Sequence, residues 1–143
     1  MIKKISLLFL SLIALVTFFG CTAQPKKNVL SSNEKFNTTG HYIDAHFSEL
    51  RDVFGKDTSY EMTSPFGVNN NYDFELRLKK VEPMSQSSLD NIKVKATPFI
   101  RKILNNMKDL GTQNPEINLK ILNENGSPLK GSENLITTYK IKL

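Results

Sequence analysis

Two histidines, His41 and His46, are the only imidazoles in the chain. They stand five residues apart, about 140° around a helix, so they do not face one substrate together. His41 and Asp44 are three apart and can share a helical face, but together they supply two metal ligands where a zinc site needs three or four. Two surface histidines on a helix is the simpler reading. Asp73 and Glu75 lie two apart, which on a strand puts both carboxylates on one face, the spacing an acid and base pair would need. Arg77 and Lys79 follow at the same period, so the pattern also describes an ordinary solvated strand face. No G-x-S-x-G turn, phosphate loop, dinucleotide fingerprint or calcium loop is present. The sole cysteine, Cys21, lies near the front of the chain.

The surroundings of that cysteine carry the most specific signal. Lys3 and Lys4 precede an uncharged apolar run over residues 5–19, and Gly20-Cys21 closes it. A basic start, a short apolar middle and a small residue before a cut make a secretory signal. The run is about 15 residues, short of the roughly 20 that cross a bilayer core. Phe18-Phe19-Gly20-Cys21 resembles the cleavage motif of bacterial lipoprotein precursors, though Phe18 and Phe19 replace the usual leucine and small residue. The resemblance covers residues 1–21 only. It implies that residues 1–20 are removed, that Cys21 carries a diacylglycerol and a fatty acyl group, and that the protein is held at a membrane without a spanning helix. Thr22 follows the cysteine where an aspartate would favour the inner membrane, and residues 23–27 carry no acid. In a host with two membranes this implies an outer-membrane lipoprotein with its domain facing the periplasm.

Without residues 1–20, 123 of the 143 residues remain, enough for one domain with one modest core. Losing Lys3 and Lys4 leaves 17 basic against 14 acidic side chains, a net charge of about +3 with no long basic run. That balance gives no reason to expect a nucleic-acid partner. With no cysteine beyond Cys21, the exported domain has no disulfide, and its stability rests on packing.

Residues 21–39 read as the lipidated cysteine and a polar, flexible tether, and residues 40–143 as a single domain. Over residues 41–54, Ile43, Phe47, Leu50 and Phe54 recur at helical spacing, with Thr38 or Thr39 as the cap and Gly55 as the stop. Residues 59–62 suit a short strand. Tyr72, Phe74, Leu76 and Leu78 alternate with Asp73, Glu75, Arg77 and Lys79, the clearest strand in the chain, apolar on one face and charged on the other.

Leu89, Ile92, Ala96, Phe99, Ile103, Met107 and Leu110 then form one apolar stripe, with Ser87 and Asp90 as an expected capping box. Pro98 interrupts this segment, but the period runs unbroken through it. One long helix with Pro98 on the water side is therefore preferred to a strand over residues 92–96 followed by a helix from Thr97. Strands are expected around Ile117, Leu119 and Ile121, and again over residues 135–143. The sum is an α+β two-layer sandwich, a small, mainly antiparallel sheet of three to four strands with two helices on one face.

Tyr60 and Tyr72 are expected in the core. Phe66, between Pro65 and Gly67 on a loop, is the one aromatic expected to touch a partner. Lys93, Lys95, Arg101, Lys102 and Lys108 are expected to be a solvated helix face. The functional expectation is a non-catalytic binding or structural module of the cell envelope, docking on another envelope protein, with no metal or cofactor beyond the lipid. An immunity-type inhibitor of an exported toxin is the alternative, and an enzyme with an unrecognised site ranks below both.

Overall fold

The computed structural model describes residues 29–65, 69–79 and 83–143. In chain order these form α1 (Ser32–His46), α2 (Ser48–Phe54), β1 (Ser59–Thr63), β2 (Asn71–Leu78), α3 (Gln86–Asp109), β3 (Glu116–Asn123) and β4 (Thr138–Lys142). The strands lie in sequence order, β1-β2-β3-β4. The outer pairs are antiparallel and the central β2–β3 pair is parallel. The cause of the parallel pair is α3: a crossover helix between two strands returns the chain to the end where it started, which only a long connection permits.

Burial alternates strictly along β2, with Tyr72, Phe74, Leu76 and Leu78 buried and the residues between them half-exposed. Ile117, Leu119 and Ile121 continue that face on β3, and Ile141 does so on β4. Against it α3 sets Leu89, Ala96, Phe99, Ile100, Ile103, Leu104 and Met107, and the α1–α2 segment sets Ile43, Phe47 and Leu50. This is the expected α+β two-layer arrangement, with two of the three strand pairings antiparallel, but with three helices where two were expected, because the segment read as one helix over residues 41–54 is divided at Phe47. Pro98 is exposed within a continuous α3, as the unbroken period predicts, so the strand-then-helix alternative does not hold.

Three local expectations need correction. The first helix begins at Ser32, not near His41, so residues 32–39 belong to the domain and not to a tether. Ser31 is its cap: Ser31 Oγ accepts from Glu34 N at 3.3 Å, and Ser31 N donates to Glu34 Oε2 at 2.7 Å. This reciprocal pair satisfies two otherwise orphaned donors. Thr39, offered as a cap, is instead fully buried inside the helix. Phe36 edges onto Tyr72 with ring centres 5.2 Å apart, and Lys35 Nζ donates to Gly111 O at 3.0 Å, which fastens this first part of α1 to the body.

The second correction is the cap of α3. Ser85, not Ser87, holds it, accepting from Ser88 N at 3.2 Å. Third, the last strand is shorter than residues 135–143: Leu135 N turns back to donate to Ser132 O, the bond from Ile121 N to Thr137 O opens the pairing with β3, and the strand itself spans Thr138–Lys142.

Candidate functional site

The residues that the sequence offers for chemistry are spread over separate places. His41 and Asp44 are both exposed on α1. Asp44 accepts a hydrogen bond from the Tyr60 hydroxyl, which ties α1 to the edge of the sheet. Burial and that carboxylate push the Tyr60 phenol well above its ordinary range. His46 places Nδ1 2.8 Å from Tyr42 O, and its ring stacks on Tyr42 at 4.3 Å. Among the described residues, no three His, Cys, Asp or Glu side chains are grouped to hold a metal ion. Cys21 and Phe66 lie outside the described residues.

Asp73 and Glu75 do share the open face of the sheet, and the register explains what they do there. Glu61, Glu75 and Lys120 sit side by side across β1, β2 and β3, while Asp73 lies opposite Asn118. Two acids directly opposite across strands repel. Arg77 relieves this by bridging both, pairing with Glu75 at 2.8 Å and with Glu61. Asp73 accepts from Lys120 Nζ at 2.7 Å and from Asn118 Nδ2 at 2.8 Å. Burial alone would raise the Asp73 carboxyl, but the Lys120 and Asn118 hydrogen bonds and the Lys120 charge outweigh it and hold it below its usual value. A general acid must keep its proton near the working pH. Asp73 is tuned the opposite way, and the two carboxylates act as cross-strand ties. Tyr72 is buried, and Tyr60 stacks on Phe74 at 5.3 Å, as core residues.

A different surface is built like a site. Among the described residues, β4 is an edge strand with β3 as its one neighbour. Ile121 N donates to Thr137 O at 2.8 Å, and in an antiparallel ladder such pairs recur at every second residue. Tyr139 and Ile141 therefore turn their backbone groups toward β3, while Thr138, Lys140 and Lys142 turn theirs outward. One step earlier, the Gln86 side chain occupies the same edge. Its Oε1 accepts from Ile136 N at 2.8 Å, and its Nε2 donates to Ile136 O at 3.2 Å. The primary amide thus takes the place of the N–H and C=O that one residue of a neighbouring strand would offer.

Beside this edge runs a shallow groove of about 600 Å³ between β4 and α3, floored by Val94, Pro98 and Ile141 and rimmed by Lys93, Arg101, Lys140 and Lys142. Lys93, Thr97 and Arg101 repeat every four residues and so form one row along α3. Val94 is 65% exposed. Pro98 has no N–H, so the Val94 carbonyl lacks its helical donor. Among the described residues Lys140 and Lys142 share a single acid, Glu116, at 2.9 and 3.0 Å. Lys93 lies 5.3 Å from the centre of the Tyr139 ring, whose hydroxyl donates to Asp90 at 2.8 Å.

Sequence reading missed this groove because its two walls are about forty residues apart in the chain. The expectation that the α3 cations merely spread over a solvated face holds for Lys102, which pairs with Glu49 at 2.6 Å. Arg101 is exposed as well, while Lys93 is half-buried against the Tyr139 ring, and the two line up beside β4. The available signal was the alternation of Lys140 and Lys142 in a terminal strand, a common feature of sheet edges. Compared with known protein families, curated proteins and solved structures, the chain matches none.

Proposed function

We propose that the protein is a lipid-anchored lipoprotein of the bacterial cell envelope, whose one α+β domain works by binding another envelope component and not by catalysis. The observation that carries this reading is the order of features in the chain. A basic start, an apolar run and Gly20-Cys21 are followed within ten residues by Ser31, the cap of the first helix. That spacing limits the domain to about 35 Å from an anchored cysteine even with the chain fully extended. Two or three acyl chains at roughly 0.8 kcal/mol per buried methylene hold such a protein at the bilayer with rare release. Lys26 and Lys27 add about 1 kcal/mol each against anionic head groups at low salt.

The binding role is supported by the distribution of polar groups. The paired acids of the open sheet face are engaged in structural ion pairs, while the β4 edge presents outward backbone groups beside a basic and apolar groove. Thr22 and the acid-free residues 23–27 favour the outer membrane, with the domain on the periplasmic side. The experiment is fractionation with protease accessibility. The protein should follow the outer membrane, survive protease added to intact cells and be digested once that membrane is permeabilised. Recovery in the soluble fraction would contradict the anchor, and digestion in intact cells would contradict the sidedness. Mild cross-linking in intact cells should give a discrete adduct with a second envelope protein. A chain that forms none would contradict the binding role.

A further inference from the structure

We infer that the outer edge of β4 docks an extended acidic segment of another protein, which joins the sheet as a fifth strand. The inference rests on the domain being a binding module and is independent of the lipid anchor. Edge strands carry unpaired N–H and C=O groups that serve as a template for an added strand, with affinity from the main chain and specificity from alternate side chains. Here the template is Thr138, Lys140 and Lys142, and Gln86 already mimics the incoming strand at Ile136.

The surroundings set the chemistry of the occupant. Side chains of a strand beside β4 alternate between two environments. On the open face they meet Lys140 and Lys142, which among the described residues share only Glu116 between them. On the helix side they meet Val94 and Pro98, flanked by Lys93 and Arg101. Arg101 has neither a hydrogen bond nor an ion pair among the described residues, and Asp90, at the far end, is engaged by Gln86 and Tyr139. An alternation of acidic and aliphatic residues fits both sides.

Other occupants fit less well. The segment between Cys21 and Ser31 carries Lys26 and Lys27 and no acid, so it is repelled. A second copy pairing antiparallel about Lys140 would set that lysine against its own copy, a destabilising like-charge pair. Anionic lipid or nucleic acid would meet the cations but has no main chain to pair with the strand edge.

The test uses the full chain in detergent and a fluorescent peptide of about eight alternating glutamate and valine residues, a length matched to an ordinary strand. Anisotropy should show binding that weakens as salt is raised, and a lysine–valine peptide should not bind. Arg101→Glu should weaken binding about tenfold or more at low salt. Lys140→Pro deletes one outward N–H without touching the β3 ladder, a position where an edge strand accepts proline. It should abolish binding, while Lys140→Ala should only weaken it, with circular dichroism and melting used to confirm both folds. Equal binding by Lys140→Pro and Lys140→Ala would overturn the inference. So would equal affinity for the two peptides, or competition by phosphatidylglycerol in mixed detergent micelles as strong as that by unlabelled acidic peptide. If Lys140→Pro does not fold, Arg101→Glu decides, and unchanged affinity there refutes the site. Failure of this assay alongside a persistent cross-link in cells would remove the β4 edge and leave the binding role standing.

Discussion

Replacing Pro98 with alanine should make this protein more stable, although the proline lies in the middle of its longest helix. Pro98 is exposed inside α3, 12 residues from Gln86 and 11 from Asp109, so it is far from either end, where proline is tolerated. In an exposed helix interior proline costs about 3 kcal/mol relative to alanine, through the lost hydrogen bond and the clash with the carbonyl four residues back. Here that carbonyl is Val94 O. Thr97, the residue before the proline, adds to the distortion by donating from Oγ1 to Lys93 O at 2.7 Å. Against this gain stands the freer unfolded chain of the alanine variant, worth roughly 0.4–1 kcal/mol. The net is about 2 kcal/mol of added stability, or roughly 8 °C in melting temperature for a domain of this size. Urea titration of the two proteins, followed by far-ultraviolet circular dichroism, measures it directly. Equal midpoints, or a lower midpoint for Pro98→Ala, would mean that α3 is shaped around the proline and that the cost has been absorbed by packing.

Ile103 is fully buried beneath α3, and Ile103→Ala removes three carbons, about 2.4 kcal/mol of transfer energy before any cavity is counted. The total should be roughly 2–5 kcal/mol by urea titration. Lys102→Ala, one residue away on the exposed side, should leave the midpoint within error, and matching losses at both positions would overturn the assignment of the helix face. The depressed Asp73 carboxyl contributes stability that is present above its ordinary value near 3.9 and is lost as the pH falls through the lower folded value. Denaturation measured from pH 6 down to about pH 2 should therefore show Asp73→Asn losing less stability than the natural protein; parallel curves would mean that the Lys120 tie contributes nothing.

The sequence made the core legible because burial follows two simple periods. The alternation at Tyr72, Phe74, Leu76 and Leu78 and the stripe through Leu89, Phe99, Ile103 and Met107 are set by side-chain geometry, and both are buried as that geometry requires. The start of α1 was written there too, in Ser31 and Glu34, but Leu30, Phe36 and Ile43 are too sparse to mark an amphipathic face. Its early turns are fixed by contacts with Tyr72 and Gly111, which are far away in the chain. The parallel pairing of β2 with β3 was less visible, since two alternating segments pair in either sense until the crossover is known. The groove beside β4 was the least accessible. It exists because α3 and the last strand meet, and neither Lys93 nor Lys140 carries that information alone. The charged strand face, by contrast, was read well: Asp73 and Glu75 look like a solvated pattern and are held in one.

The proposed lipoprotein stands or falls with Cys21 as its membrane anchor. The direct measurement is metabolic labelling with a fatty-acid analogue in cells expressing the natural protein and Cys21→Ser, followed by mass determination of each chain. The natural protein should incorporate label and lose residues 1–20, and Cys21→Ser should remain an unlabelled, uncleaved precursor. Label retained by Cys21→Ser, or a natural protein that carries no lipid, would contradict the lipoprotein reading.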